Sequence, residues 1–188
     1  MSNFSNLTEN NTLFLIIDIQ EKLLNAVFNK ELVEKKSKIL AKSLSILEIP
    51  TIITEQYPQG LGETISSIKE NMGDNASFYI KTNFNALNDE KLFEELKQAG
   101  RKNIIVMGIE THICVYQTVV ALLQHGFDVT VISDACGSRS PEEYHGGLLT
   151  MKEYGAKIKS TEMVLFEILK TARTFVTVWF SSKVSAVR

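Results

Sequence analysis

The sequence predicts an α/β protein in which a mainly parallel six-stranded sheet lies between two helical layers, a three-layer α/β/α sandwich of Rossmann-like type. Short apolar segments rich in β-branched residues alternate with amphipathic segments about six times along the chain. The connections are short, and no repeat or low-complexity linker interrupts them. This alternation is typical of βαβ units, whose parallel strands are covered by helices on both faces.

The chain length of 188 residues fits one domain with a substantial core. We expect residues 1–11 to form a polar leader, residues 12–171 to form the domain and residues 172–188 to form an atypical tail. The tail begins with an apolar, β-branched segment at residues 174–180. An extra edge strand, an oligomer contact and a disordered end remain open as interpretations of it.

Charge and composition narrow the class of protein. The net charge is -2, and acidic and basic residues are scattered along the chain, so neither a nucleic-acid face nor a polybasic membrane anchor is expected. Signal-peptide features and an apolar run of membrane-spanning length are both absent from the sequence. We therefore expect a cytoplasmic protein with a small-molecule substrate, in which Cys114 and Cys136 are free thiols.

Two of the predicted strands, at residues 12–17 and 104–107, are continuous apolar runs, which indicate strands buried on both faces of a parallel sheet. Residues 133–138, which follow the fifth strand, are predicted to form a polar loop. The six strands are predicted at residues 12–17, 51–54, 77–80, 104–107, 128–132 and 156–159.

The predicted helices have an apolar stripe and recognisable start and stop signals. Ser140 and Pro141 provide a cap and a first-turn proline, and Gly155 ends the same helix. Residues 55–62 are predicted to be a turn-rich loop. Helices are expected at residues 31–47 and 63–71, from residue 88 or 89 to Gly100, from Cys114 to Gly126, from Ser140 to Gly155, and from Thr161 onward.

Three of the strands deliver residues that carry chemistry, namely Asp18 and Lys81 at the strand end and Cys114 after a break at Gly108. Because parallel strands end at one edge of a sheet, these side chains are expected to converge. Cys114 lies at a predicted helix N-terminus, where backbone N–H groups, the helix dipole and the cation of Lys81 favour a thiolate. Asp18 is then the carboxylate base, and backbone N–H groups near Cys114 can stabilise an oxyanion.

Each of these residues also has a structural interpretation. A lone cysteine after an apolar strand is usually a small core residue. Asp18 alone fits a loop cap, and Lys81 alone fits a solvated surface charge. The agreement of three strand ends favours the functional interpretation. Cys136 lacks such a context and is interpreted as a packing or loop residue rather than a resolving thiol.

The motifs LIIDIQ at residues 15–20 and GIETHICV at residues 108–115, with the strand into Lys81, resemble the isochorismatase-like cysteine hydrolases. That superfamily includes nicotinamidases and N-carbamoylsarcosine amidases. The resemblance covers roughly residues 12–171. Within the superfamily, the segment TEQYPQGLG at residues 54–62 is most similar to isochorismatase-domain-containing proteins of poorly defined substrate.

The resemblance implies a triad of Cys114 as nucleophile, Asp18 as general base and Lys81 as the cation that orients and polarises the pair. It also implies a non-proline cis peptide between Ile109 and Glu110, with the N–H groups of Glu110 and Cys114 forming an oxyanion hole. Members of the family are commonly oligomeric, so a homo-oligomer is expected.

The sequence departs from the nicotinamidases at their metal site. Those enzymes bind a metal through an Asp-x-His pair after the second strand, whereas residues 54–57 read TEQY here. The chain has three histidines, at positions 112, 125 and 145, and none belongs to a ligand-like pair. We therefore expect neither a metal nor another cofactor, and nicotinamidase activity is not favoured.

Five further residues are candidates for the lining of the substrate pocket. Each also has a structural interpretation, which is a turn for residues 55–57, a structural hydrogen bond for His112 and the start of the next segment for Gln20. These second-rank candidates are Gln20, Glu55, Gln56, Tyr57 and His112.

The leading hypothesis is a metal-independent cysteine hydrolase that cleaves a small amide or related carbonyl compound through a thioester. A non-catalytic oligomeric scaffold that retains the fold is the alternative. Thiol labelling separates the two, because an activated Cys114 is expected to react with iodoacetamide well below the normal thiol pKa.

Overall fold

The computed structural model describes residues 7–73 and 75–171, which contain a sheet of six strands. The strands are β1 (Thr12–Ile17), β2 (Thr51–Gln56), β3 (Ala76–Lys81), β4 (Asn103–Ile109), β5 (Asp128–Gly137) and β6 (Lys157–Lys159). Their order is β3-β2-β1-β4-β5-β6, and every neighbouring pair is parallel. The predicted six-stranded α/β fold is confirmed, and the sheet is wholly rather than mainly parallel.

Helices cover both faces of the sheet. The helices are α1 (Glu21–Ala26), α2 (Lys30–Ile46), α3 (Pro58–Leu61), α4 (Ser66–Lys69), α5 (Glu90–Gln98), α6 (Tyr116–Gln124), α7 (Pro141–Glu153) and α8 (Thr161–Leu169). A 3₁₀ turn (Ala86–Asn88) precedes α5, and a π-helical turn (Thr111–Val115) precedes α6. Helices α1, α2, α4 and α8 contribute to the apolar core on one face, and α5, α6 and α7 contribute to the core on the other.

The strand β1 shows why these runs are apolar throughout. Phe14 and Ile16 pack into one core, whereas Leu13, Leu15 and Ile17 pack into the other. All six residues of the strand are buried. Because both faces lie under helices, an alternating pattern of polar and apolar residues would bury polar groups, so the continuous apolar run is required.

The direction of the strand order reverses between β1 and β4. The chain first builds outward from β1 to β3, and then crosses β1 to continue through β4, β5 and β6. The two central strands pair in register up to Ile17 and Gly108. In open α/β sheets, the crevice beyond the carboxyl ends of the strands at such a switch point is where ligands bind.

The main difference from prediction is β5, which continues through the predicted polar loop at residues 133–138 as far as Gly137. Its pairing with β4 shifts between Val106 and Gly108, so the strand contains an irregularity in this region. Asp134 lies there and satisfies its carboxylate with the N–H and hydroxyl of Thr161. Polar residues are accommodated inside this strand because other elements supply their hydrogen bonds.

Smaller differences concern the segments that follow β1 and β2. The helix α1 was not predicted, and its single buried residue, Leu24, explains the weak amphipathic pattern. The predicted helix at residues 63–71 is limited to α4. The predicted loop at residues 55–62 contains the last two residues of β2 and the single turn α3.

At the start of the described chain, Leu7 is buried, and its N–H donates to Glu167 Oε1 at 3.1 Å. The predicted tail at residues 172–188 lies outside the described residues. Across residues 7–73 and 75–171, each helix is too short or too polar to cross a membrane.

The close approach of β1 and β4 gives a stability prediction. A Cβ on Gly108 would lie 2.3 Å from the backbone oxygen of Ile17, and Gly108 has a φ of 152°. We expect Gly108→Ala to lower the free energy of unfolding by at least about 3 kcal/mol in urea titrations, because the backbone of β1 or β4 must move to make room for the methyl group. Gly146→Ala is the control, because no atom lies within 4 Å of its added Cβ. This substitution should stabilise helix α7 by about 0.5 kcal/mol. Equal unfolding midpoints for the two variants would contradict the close approach.

Candidate active site

Asp18 lies directly after β1, at the switch point. Its φ is 50°, a left-handed conformation that aspartate tolerates better than most residues. Its carboxylate is fully buried. One oxygen accepts from Thr54 Oγ1 at 2.6 Å, and the other accepts from Lys81 Nζ at 2.6 Å. The two neighbouring strands β2 and β3 thus supply the partners that compensate a buried negative charge.

Lys81 is the last residue of β3 and is 3% exposed. Besides Asp18, its ammonium donates to Gln56 Oε1 at 2.6 Å and to the carbonyl of Asn83 at 3.2 Å. An ammonium group has three N–H donors, so each donor has an acceptor in this arrangement. The charge of Lys81 is therefore compensated by Asp18, and its ammonium group is held in one orientation.

Cys114 lies in the π-helical turn between β4 and α6. The turn is closed by the N–H of Val115, which donates to the carbonyl of Glu110 at 3.2 Å. Such turns occur frequently at functional sites. Cys114 is 6% exposed, and its thiol is hydrogen-bonded to Asp18 and to the backbone N–H of Glu110. The structure therefore brings Asp18, Lys81 and Cys114 together.

The protonation state of Cys114 differs from the sequence-based expectation. Burial and the negative charge of Asp18 raise the pKa of the Cys114 thiol to about 12, although Lys81 and the N–H of Glu110 act in the opposite direction. The expected resting thiolate, reactive well below the normal thiol pKa, is therefore wrong. The helix terminus and the lysine lower the thiol pKa by less than burial and the adjacent carboxylate raise it. The raised pKa favours the neutral thiol, which is hydrogen-bonded to Asp18.

The peptide bond between Ile109 and Glu110 is cis, at the position where the family resemblance implies one. The side chain of Glu110 is paired with Arg139, whose Nη2 lies 2.6 Å from Oε1. Burial opposes ionisation of Glu110, but the hydrogen bonds and charge of Arg139 hold its pKa below the ordinary value. The backbone on which the predicted oxyanion hole depends is thus anchored through a side chain.

Gln20 and Glu55, two predicted pocket residues, bind the protein's own backbone. The buried amide of Gln20 accepts from the N–H of Gln56 at 2.7 Å and donates to the carbonyls of Gln56 and Gly62. Glu55 Oε1 accepts from the N–H of Thr64 at 2.7 Å. These contacts fix the end of β2 against the segment that follows it. A role toward substrate stays a prediction for both residues.

The other three predicted pocket residues lie in different settings. Gln56 contacts Lys81 directly and so belongs to the charged cluster. Tyr57 is 54% exposed. His112 Nδ1 lies 3.1 Å from Ser138 Oγ. Contacts of these three residues with a substrate remain predictions.

Sequence reasoning missed two residues that support the cluster, Thr54 and Arg139. Thr54 ends the predicted second strand and pairs in register with Ile17, one residue before Asp18. The hydroxyl of Thr54 at the end of an apolar strand was the feature of the sequence that could have indicated its role. Arg139 carries no comparable signal, because its partner Glu110 is distant in sequence.

Metal-ligating side chains do not cluster in the part of the chain that the structure describes. Within residues 7–73 and 75–171, no group of three or more His, Cys, Asp or Glu side chains is arranged to hold an ion. Cys114 and Cys136 are both free and buried.

A thiol, a carboxylate and an ammonium group thus meet at the switch point of a parallel α/β sheet, which defines the class as an α/β protein with a cysteine-centred candidate site. The Isochorismatase domain family model matches residues 12–163. The chain belongs to the isochorismatase family, and the resemblance found in the sequence is confirmed. Isochorismatase family protein 1A of Dictyostelium discoideum is 36% identical over 177 residues, which cover 92% of this chain and 85% of that protein.

Solved structures agree with this assignment. The MAR1 ribonuclease of Caenorhabditis elegans superposes with a TM-score of 0.87 and 32% identity, covering 93% of this chain and 91% of that one. YcaC from Pseudomonas aeruginosa, solved with hexane-2,5-diol and covalent acrylamide, has a TM-score of 0.87 and 27% identity. That alignment covers 92% of this chain and 87% of YcaC.

The hydrogen-bonded thiol gives a prediction for Asp18→Asn. Removing the negative charge beside Cys114 should lower the thiol pKa, so iodoacetamide should alkylate Cys114 faster near neutral pH than in wild type. Rates are measured by intact mass across a pH series. The control is Asp128→Asn, because Asp128 begins β5 and lies at the amino ends of the strands, away from Cys114. This variant should keep the wild-type dependence of the alkylation rate on pH. Slower alkylation of the Asp18 variant would show that its carboxylate does not raise the thiol pKa.

The buried ion pair gives a second prediction. Lys81→Met leaves the carboxylate of Asp18 buried without its cation and should cost about 3–5 kcal/mol of unfolding free energy in urea titrations. The double variant Asp18→Asn/Lys81→Met should be more stable than Lys81→Met alone, since no uncompensated charge remains. Lys69→Met, which breaks an exposed pair with Glu63, should change stability by less than about 1 kcal/mol. A double variant no more stable than Lys81→Met would contradict this account.

Proposed function

We propose that the protein is a cysteine hydrolase that cleaves a small amide or related carbonyl compound through a thioester intermediate. Cys114 is the nucleophile, Asp18 is the general acid and base, and Lys81 is their charge partner. The observation that carries this proposal is the chain of contacts from the thiol to the carboxylate and on to the ammonium group. The proposed chemistry uses these side chains and requires no metal or other cofactor.

In the proposed acylation step, Asp18 accepts the thiol proton while the sulfur attacks the substrate carbonyl carbon. A C–S bond forms, and the carbonyl electron pair moves onto oxygen. The N–H groups of Glu110 and Cys114 are the proposed donors to this oxyanion. When the intermediate collapses, the C–N bond breaks, the leaving nitrogen takes the proton from Asp18, and a thioester remains.

In the proposed deacylation step, Asp18 removes a proton from water as the water oxygen attacks the thioester carbon. The C–S bond then breaks, the acid leaves, and the proton returns to the sulfur of Cys114. One negative charge moves from the carboxylate to the reacting atoms and back in each half of the cycle. Lys81 stays within contact of that charge throughout, so the buried site remains electrically balanced.

The raised thiol pKa fits this mechanism. A thiol with a high pKa becomes a more strongly nucleophilic sulfur once its proton is removed, because nucleophilicity falls as thiol pKa falls. The base is already hydrogen-bonded to the thiol, which meets the geometric requirement for proton transfer during attack. Proton transfer and C–S bond formation therefore belong to the same step.

Two related structures bear on the choice of a chemical probe for Cys114 and on a second candidate function. The YcaC structure contains covalent acrylamide. Acrylamide adds to nucleophiles through its vinyl carbon, so it is a reasonable reagent for testing whether Cys114 is nucleophilic. The Caenorhabditis elegans relative is named a ribonuclease, so cleavage of RNA is the second candidate. The net charge of -2 favours a small substrate over RNA, because nucleic-acid binding depends strongly on cationic contacts with phosphates.

We also propose that the protein is a cytoplasmic homo-oligomer. Two free buried thiols fit a reducing compartment. On the edge strand β3, Phe78 and Ile80 are 48% and 59% exposed on one face, which supports contact with a second copy. The same surface supports the alternative of a non-catalytic scaffold if Cys114 proves unreactive.

The nucleophile is tested with p-nitrophenyl acetate and a panel of small primary amides, measuring p-nitrophenolate release, ammonia release and the intact mass of the protein. Wild type should form an acyl adduct on Cys114, and Cys114→Ala should lose both the adduct and turnover. Cys136→Ala is the matched control and should retain both, since Cys136 is not part of the charged cluster.

Two outcomes would overturn the proposal. One is an amide or ester that Cys114→Ala hydrolyses as fast as wild type does. The other is a wild-type protein that forms no Cys114 adduct with any of these compounds, which would favour the scaffold. Cleavage of single-stranded RNA that disappears in Cys114→Ala would favour the ribonuclease candidate.

A further inference from the structure

The end of β5 holds the turn that carries Cys114. The strands β4 and β5 pair up to Ile109 and Gly137, and side-chain contacts continue the attachment beyond that point. Thr111 Oγ1 donates to the carbonyl of Gly137 at 3.0 Å. The other two pairs are His112 with Ser138 and Glu110 with Arg139. The three consecutive residues that begin at the cis peptide are therefore each bound by one of three consecutive residues, the last of β5 and the two that follow it.

The contact with Arg139 is the most specific of the three. Its Nε and its backbone N–H each lie 3.0 Å from Glu110 Oε2, and its Nη2 lies 2.6 Å from Oε1. Two parallel N–H···O bonds from a planar guanidinium fix the carboxylate in direction as well as in distance. The side chain of Glu110 is 9% exposed, whereas that of Arg139 is 62% exposed. An arginine so exposed contributes little to stability through charge alone, so its main effect is geometric.

The backbone of Glu110 is where this geometry matters. Its N–H contacts the sulfur of Cys114, and its carbonyl accepts from the N–H groups of Ile113 and Val115 at 3.1 and 3.2 Å. A displacement of Glu110 as a whole, once its carboxylate is released, would therefore move the peptide group beside the nucleophile. A misplacement of about 1 Å in such a group costs on the order of 100-fold in rate.

We propose that Arg139 is a positioning residue for the oxyanion hole, which it holds in place through the carboxylate of Glu110. This inference rests on the proposed acyl transfer at Cys114. Arg139 itself is not assigned any contact with the substrate.

The test separates acyl transfer from simple thiol reactivity. Hydrolysis of p-nitrophenyl acetate places negative charge on a carbonyl oxygen, whereas alkylation of a thiol by iodoacetamide displaces iodide and forms no such oxyanion. In Arg139→Gln, we expect Cys114-dependent p-nitrophenolate release to fall roughly 10- to 100-fold in kcat with little change in KM. The rate of Cys114 alkylation should fall by much less than acyl transfer, because Asp18 and Lys81 still flank the thiol and only its contact with the N–H of Glu110 is disturbed.

Arg101→Gln is the matched control. Arg101 precedes β4 at the opposite edge of the sheet, and its Nη1 donates to the carbonyl of Glu9 at 2.8 Å. Its loss should leave both rates unchanged. Arg139→Lys retains the charge but not the planar fork, so it should remain impaired while preserving the fold. Guanidinium ion, added well below denaturing concentration, should restore activity to Arg139→Gln, since the Arg139 position is open to solvent.

A double-mutant cycle tests the route through Glu110. Glu110→Gln and Arg139→Gln should each reduce acyl transfer, and the double variant should be no worse than the poorer single variant. Additive losses would overturn the proposal, because two independent roles would then be required.

The remaining outcomes are also decisive. Wild-type release that does not depend on Cys114 would remove the proposed function, and this inference with it. Cys114-dependent release that is equal in wild type, Arg139→Gln and Arg139→Lys would overturn the role of Arg139 alone. Alkylation that falls in parallel with acyl transfer would also overturn it, because the effect would then lie on the thiol or on the fold.

Discussion

The buried carboxylate of Asp18 is the group on which the candidate site depends. A charge with no exposed surface is stable only when its partners are close and well oriented. Thr54, Lys81 and Cys114 are these partners, and they come from β2, β3 and the turn after β4. The correct order of four chain segments is thus required before the carboxylate is compensated, which couples the topology of the sheet to the chemistry at its edge.

This coupling explains why many contacts around the site hold the backbone of the neighbouring strand ends in place. Gln20 binds the end of β2 to the following segment, Gln56 directs the ammonium group of Lys81, and Gly108 allows the two central strands to approach closely. None of these residues needs to touch a substrate to matter. Each restricts where one member of the charged cluster lies, and small displacements are costly where proton transfer and attack must coincide.

The fold was predictable because the strands of a doubly covered parallel sheet are continuously apolar, as in β1 and β4, and helix caps mark the segments between them. Asp18, Lys81 and Cys114 could be inferred because each follows or ends a strand predicted from the sequence, although the strand before Lys81 is an edge strand exposed on one face. What the sequence did not reveal depends on neighbours in space. The carboxylate of Glu110, the hydroxyl of Thr54 and the side chain of Asp134 inside β5 are satisfied by contacts whose partners no local pattern specifies.

The protonated state of Cys114 could not be read from the sequence either. The helix terminus and the lysine, which are visible in the pattern, favour a thiolate, but burial and the carboxylate in contact with the sulfur oppose it and are decisive. Spacing along the chain indicates which groups meet, whereas the balance among them depends on how much water the fold excludes.

Keeping Cys114 protonated at rest has a consequence for its oxidation in the cell. Peroxide and other oxidants attack thiolates, and their damage proceeds to irreversible sulfinic and sulfonic acids. A thiol that is 6% exposed and neutral at rest presents little thiolate to such compounds. The arrangement therefore leaves little thiolate at Cys114 for oxidants to attack, whereas the expected low-pKa thiolate would be open to such attack.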